Sequence, residues 1–246
     1  MQFRRSLLLA GAPLAAGLTL ASTALAAGSA PAVTVRVEGA TKTLLPASTV
    51  SAPRTGSITK GGTSSGTCPS DSAAGALDAA THGRWSGSYF KGLGIDVSTI
   101  LGTTLSYSKG SYWGFYVDNR LAPKGICDTK IVMGESLLFA PVPAKGQAPK
   151  PIVVTAPKTV TAGKPFDLRA FVYTGKGNAT KPLSAWHERW TSSMMRGAKP
   201  KVTRSATAPK GDLRFTVSGA TSGKLTFVVS AKGDIRSAAT TIQIVK

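Results

Sequence analysis

Histidine and cysteine are scarce in this sequence, with two of each among 246 residues. So few imidazoles and thiols leave little for a metal centre or a histidine-driven catalytic machine. Acid is short as well: 11 Asp+Glu stand against 30 Lys+Arg, a formal charge of +19. The carboxylates are scattered; Asp71 and Asp78 share a presumed helix, about two turns apart, with no partner in view. No Gly-x-Ser-x-Gly elbow, P-loop or dinucleotide fingerprint occurs. His187 and Glu188 open like a zinc-protease helix, but Thr191 stands where the second histidine belongs. His82 falls at the end of the presumed helix, a place for a cap rather than a catalyst. These absences point away from an enzyme and call for no cofactor. The 42% hydrophobic content suffices for packed cores, which excludes a disordered polyelectrolyte.

Residues 1–26 read as a secretory signal. Arg4 and Arg5 precede an uncharged apolar run over residues 7–25, and Ala24 to Ala26 form a small-residue cleavage site. A retained membrane anchor is the rival reading; Gly11, Pro13 and Gly17 interrupt the run. The paired arginines leave both the general and the twin-arginine export routes open. The mature chain is expected to be secreted or extracellular, either free or wall-associated, with no membrane-spanning segment. In such an oxidising compartment Cys68 and Cys127 pair by default. The alternative, a reactive thiol, lacks a Cys-x-x-Cys spacing or a persuasive histidine neighbour.

Residues 140–151 hold four prolines and a glycine, a composition that disfavours both helix and sheet and reads as a semi-extended linker. The division expected is a first domain over 27–140, a linker over 141–151 and a second domain over 152–246. Charge divides with it: residues 29–150 carry 12 basic and 7 acidic side chains, and residues 151–246 carry 16 and 4. The second domain reads as all β. Phe166, Leu168, Ala170 and Val172 alternate with polar or outward residues, as do Leu213, Phe215 and Val217, then Leu225, Phe227 and Val229, then Ile242 and Ile244. Turn signals such as Ser222-Gly223 separate these runs, and the rhythm predicts an antiparallel immunoglobulin-like β-sandwich. The first domain opens with a strand through Val33, Val35 and Val37. A short helix follows over residues 71–80, capped by Ser70 or Asp71, and strands follow near 94–100, 112–117 and 137–140. The fold class expected is mainly β, a small α+β domain followed by a sandwich.

The first domain resembles a known family. The residues that carry the likeness are Val35-x-Val37-x-Gly39, Cys68, the short helix, Gly83-Arg84-Trp85, residues 112–119, Gly125-Ile126-Cys127 and residues 134–139. Together they resemble the DUF4430 family, also called the transcobalamin-like C-terminal domain, over residues 31–143. Asp118-Asn119 and Gly134-Glu135 stand where that family usually has Asn-Gly and Gly-Asp. The resemblance implies a β-grasp-like fold. In vertebrate relatives this domain covers one face of cobalamin, so it also implies an alternative function: extracellular capture of a cobalamin-like small molecule.

Two features are candidates for binding. Eight of the 17 aromatic residues fall within residues 85–116. On the strand over 112–117, Trp113 and Phe115 share one face, and Tyr112 and Tyr116 share the other, with Gly114 between them. Trp85, Tyr112, Trp113 and Tyr116 are therefore the candidate ligand-binding residues, with Gly114 leaving open space between two rings. The bland alternative is that the tyrosines cover a small barrel. Arg196, Lys199, Lys201, Arg204 and Lys210 cluster with no acid among them. They would attract cell-wall or surface polyanions, without the motif of a specific nucleic-acid binder; the alternative is a solvated surface that adds solubility.

Overall fold

The structure is a computed structural model that describes residues 30–61, 66–92, 94–174, 179–183, 185–205 and 212–246. Residues 1–26, read above as a secretory signal, and Lys210 lie outside the described residues. The protein is mainly β, with several antiparallel sheets.

The first half holds β1 (Ala32–Glu38), β2 (Thr43–Ser51), β3 (Ser57–Thr59), β4 (Thr67–Pro69), α1 (Ala73–Thr81), β5 (Trp85–Phe90), β6 (Gly94–Ile100), β7 (Thr103–Thr104), β8 (Ser111–Val117), β9 (Arg120–Leu121) and β10 (Ser136–Pro143). Its main sheet runs β2-β1-β10-β8-β9, and β1 lies parallel to β10 at the centre. The first and last strands of this half thus pair in parallel, with α1 packed against the sheet. The valine alternation in β1 sends Val33, Val35 and Val37 into a core shared with Ala73, Ala76 and Leu77 of α1 and with Phe115 and Phe139.

Alanine-rich residues form α1, and it begins later than the sequence suggests. Ser72 is the N-cap, but its hydroxyl donates to the Pro69 carbonyl at 2.6 Å rather than capping the helix. The first free amides are taken instead by backbone carbonyls, Ala73 N–H to Thr129 at 2.8 Å and Ala74 N–H to Ile126 at 3.2 Å. The helix ends at His82, which adopts the left-handed conformation at φ 52°. Asp118 and Asn119 both take positive φ, 47° and 63°, between the paired residues Val117 and Arg120. That is the chemistry of a primed two-residue hairpin turn.

The proline-rich segment is not linker throughout, because β10 runs on to Pro143. β1 pairs only Ser136, Leu137, Leu138 and Phe139, and beyond them β10 keeps β8 as its neighbour. Pro141 and Pro143 thus fall where one side of the strand needs no amide donor.

The second half holds β11 (Val153–Thr155), β12 (Thr159–Thr161), β13 (Pro165–Tyr173), β14 (Thr180–Pro182), β15 (His187–Ser205), β16 (Asp212–Ser230) and β17 (Thr240–Val245). Two separate runs of alternation in the sequence prove to be one strand of 19 residues, β16. Its start pairs with β13 and its later part with β17, while β15 runs beside both. Ser222-Gly223 is therefore a bend within a strand, not a hairpin turn. All seven strands join in one hydrogen-bonded sheet. One core gathers Phe166 and Leu168 of β13, Phe215 and Phe227 of β16, and Ile242 and Ile244 of β17.

Candidate functional site

The alternation on β8 divides as the sequence suggests, but neither face is an open platform. Trp113 and Phe115 face the helix-side core. Tyr116 lies on the opposite face with Leu138, Ala140 and Val142, covered by Ile235 from the second half. Its hydroxyl donates to the Pro149 carbonyl at 2.7 Å, and burial pushes its phenol well above the ordinary value. Three of the four aromatic candidates are thus interior: Trp85 is 4% exposed, Trp113 6% and Tyr116 2%. A sheet face this apolar needs a cover, and the chain's own linker and second half supply it. The space expected at Gly114 is filled as well, since a Cβ there would collide with the side chain of Val142. A corrin held against Tyr112 and Tyr116 would meet that cover.

Tyr112 alone remains half-buried. It packs against Tyr107, with ring centroids 6.0 Å apart, and Tyr107 is 67% exposed. Tyr107 sits in a 3-10 turn over Tyr107–Lys109, where no strand periodicity marks it.

Trp85 has a structural partner set. Its indole Nε1 donates to Asp78 Oδ1 at 2.8 Å. Lys60 Nζ lies 3.2 Å from the same oxygen and 4.9 Å from the indole centroid. Asp71, which falls just before α1 rather than within it, pairs with Lys130 at 3.1 Å. The two carboxylates that lack a partner in the sequence are both paired. Cys68 and Cys127 form a disulfide. No group of three or more His, Cys, Asp or Glu able to hold a metal occurs among the described residues. No helix among them is long and apolar enough to cross a membrane.

The basic cluster lies on β15, a strand with β16 on one side and no second neighbour among the described strands. Arg196, Lys199, Lys201 and Arg204 are all exposed. Arg204 is partly committed: it lies 3.7 Å from Glu188 and 5.4 Å from the Trp186 ring centroid. The other three have no carboxylate partner among the described residues. Bulges interrupt the ladder between Ser193 and Lys201, and Gly197 takes φ 92° there. Lysines, arginines and bulges are devices that keep an edge strand from pairing with other chains.

A feature with no sequence signal joins the two halves. Glu38, 2% exposed, accepts from Arg36 Nη1 at 3.0 Å and from Arg236 Nε at 2.8 Å. Thr43 Oγ1 adds contacts at 3.0 Å. Arg236 also donates to the carbonyls of Thr41 and Gly39, at 2.7 and 2.9 Å, while Arg36 donates to the Arg236 carbonyl at 2.9 Å. Burial raises the Glu38 carboxyl above its ordinary value, and burial likewise lowers Arg36. Another contact between the halves is Arg120, whose guanidinium lies over the Tyr173 ring at 4.2 Å. Sequence spacing could not reveal this cluster, because its members come from opposite ends of the chain.

No known family's sequence pattern matches the chain, and no curated protein matches it in sequence. Among solved structures, one similar chain is a Ruminococcus gnavus protein provisionally described as metal binding. It is 12% identical, with a TM-score of 0.34, over 47% of this chain and 99% of the other. Another is a pair of S-layer domains, domains 4 and 5 of SbsC. It is 15% identical, with a TM-score of 0.26, over 65% of this chain and 91% of the other.

Proposed function

We propose that this is an extracellular, non-enzymatic binding protein retained at the cell surface by anionic polymers. The first half would be a transcobalamin-like module of the DUF4430 kind, and the second, immunoglobulin-like, an electrostatic anchor. The observation that carries the reading is the row of exposed cations on β15, Arg196, Lys199 and Lys201, each without a carboxylate partner among the described residues. They sit in a half with 16 basic and 4 acidic side chains, so the local field favours polyanions. The disulfide suits an oxidising compartment.

The test is retention of the purified protein on cell walls, with and without their anionic polymer, at salt between about 50 and about 200 mM. Retention should fall as salt rises and fall again when the polymer is stripped. The Arg196→Gln/Lys199→Gln/Lys201→Gln variant should show a shallower salt dependence, because fewer counterions are released on binding. Retention independent of salt sinks the proposal.

A further inference from the structure

A cleft of about 600 Å³ opens where the two halves meet, beside the Glu38–Arg236 pair. One wall is apolar, formed by Ala140, Pro141 and Pro143 from the end of β10 with Pro149 of the linker. Four charged side chains line it: Glu38, Asp234, Arg236 and Arg189. Three of these are committed. Glu38 and Arg236 hold each other, and Arg236 also donates to two backbone carbonyls. Asp234 accepts the Lys150 amide at 3.3 Å. Arg189 differs. It is exposed, and among the described residues its side chain has no carboxylate, ring or hydrogen-bond partner. With Arg36 behind Glu38, the cleft carries one positive charge in excess.

We propose that this cleft binds a short peptide through its free C-terminal carboxylate, with Arg189 as the anchoring residue. A guanidinium presents a planar pair of donors that matches a carboxylate, and a single such fork fits one terminal carboxylate better than a polymeric anion. The proline and alanine wall suits small apolar side chains. The Gln147 amide, also on the lining, supplies a donor and an acceptor of the kind a peptide backbone needs. The cleft has the size and the mixed character of a small-ligand site at a domain interface. Two further cavities among the described residues lack this combination. One beneath β13 is lined by Asp167, Arg169 and Asp212, which are already paired with Arg214 or with each other. Another contains Arg36, which is already bound to Glu38.

Titration calorimetry on the full chain tests the site with N-acetyl-alanyl-alanine and its C-terminal amide, with inorganic phosphate as a separate arm. The free acid should bind roughly ten- to a hundredfold more tightly than the amide, the range for a hydrogen bond to a charged group. Arg189→Gln should abolish that preference, whereas Arg196→Gln, which removes a cation elsewhere on β15, should leave it intact. Phosphate should not compete. Equal binding of acid and amide, no binding of either, displacement by phosphate, or equal losses from the two variants would each overturn the proposal. Because Arg196 belongs to the wall-retention surface, failure here leaves that reading standing, and the reverse also holds.

Discussion

Arg236 Nε lies 2.8 Å from Glu38 Oε2, which ties the loop before the last strand to the end of the first. Glu38 is nearly inaccessible and also holds Arg36, so three charges are taken out of water together. Burial at this level costs several kcal/mol per ion before any attraction is counted. A complete cluster is tolerable, but a broken one is not. Arg236→Ala should destabilise the protein by about 3 kcal/mol, the low end for breaking a buried pair, because the Arg236 side chain keeps 21% exposure. Replacing all three members with apolar residues of similar volume should cost much less. Urea denaturation of both variants measures the difference; equal losses would show that the cluster is ordinary packing.

Titration separates this cluster from the exposed pairs of the second half. Hydrogen bonds from Arg214 and Arg169 hold the carboxyls of Asp167 and Asp212 below the usual 3.8. A depressed folded value means that their contribution is present above 3.8 and is lost as pH falls through the folded value. Glu38 has the opposite sign. Burial raises it above 4.5, so its contribution is greatest below 4.5 and declines as pH rises through the folded value. Denaturation midpoints across about pH 2 to 8 should show both limbs. Asp167→Asn with Asp212→Asn should flatten the acid limb, and Glu38→Gln the decline above 4.5. If neither limb responds, the titrating groups lie elsewhere.

The disulfide closes a segment with a sequence separation of 59, enough for about 4 kcal/mol on loop-entropy arithmetic. It also fastens the loop whose carbonyls at Ile126 and Thr129 receive the first amides of α1. Cys68→Ser with Cys127→Ser should therefore lower stability and loosen the helix start together. Hydrogen exchange at Ala73 and Ala74 reads the local effect. Full protection of those amides in the variant would show that the loop holds its place without the bond.

Periodicity made most strands legible. The valines of β1, the alternation on β8 and the aliphatic rows of β13 and β17 each report which face is apolar, and in the structure those faces meet cores. What periodicity does not report is what covers a face. Tyr112 and Tyr116 share an apolar side in sequence and structure alike, but the identity of the cover, Ile235 and the linker, depends on tertiary docking. Ser222-Gly223 misleads for a related reason. Glycine marks a backbone bend, and a bend within a long strand uses the same residues as a turn between two. The Asp167–Arg214 and Arg169–Asp212 pairs are invisible until β13 and β16 come into register, after which they help fix that register. The junction cluster and the cleft beside it leave no local mark, since their residues come from both halves.

Gly114 illustrates that limit and can be tested directly. It lies opposite Ala140 on β10, and a Cβ there would overlap the side chain of Val142, with Leu121 also close. Its backbone is ordinary strand, so the demand for glycine is one of space and not of conformation. Gly114→Ala should cost about 1–3 kcal/mol, the usual range for overpacking a filled core. Val142→Ala alone should cost a comparable amount by opening a void on the face shared with Tyr116 and Leu138. Combined, the methyl added at 114 takes part of the space left by the two methyls removed at 142, and the double variant should recover part of the summed loss. A double-mutant cycle by chemical denaturation measures that coupling. Strict additivity would mean that Val142 moves aside freely, and that the tyrosine face has the room the sequence suggests.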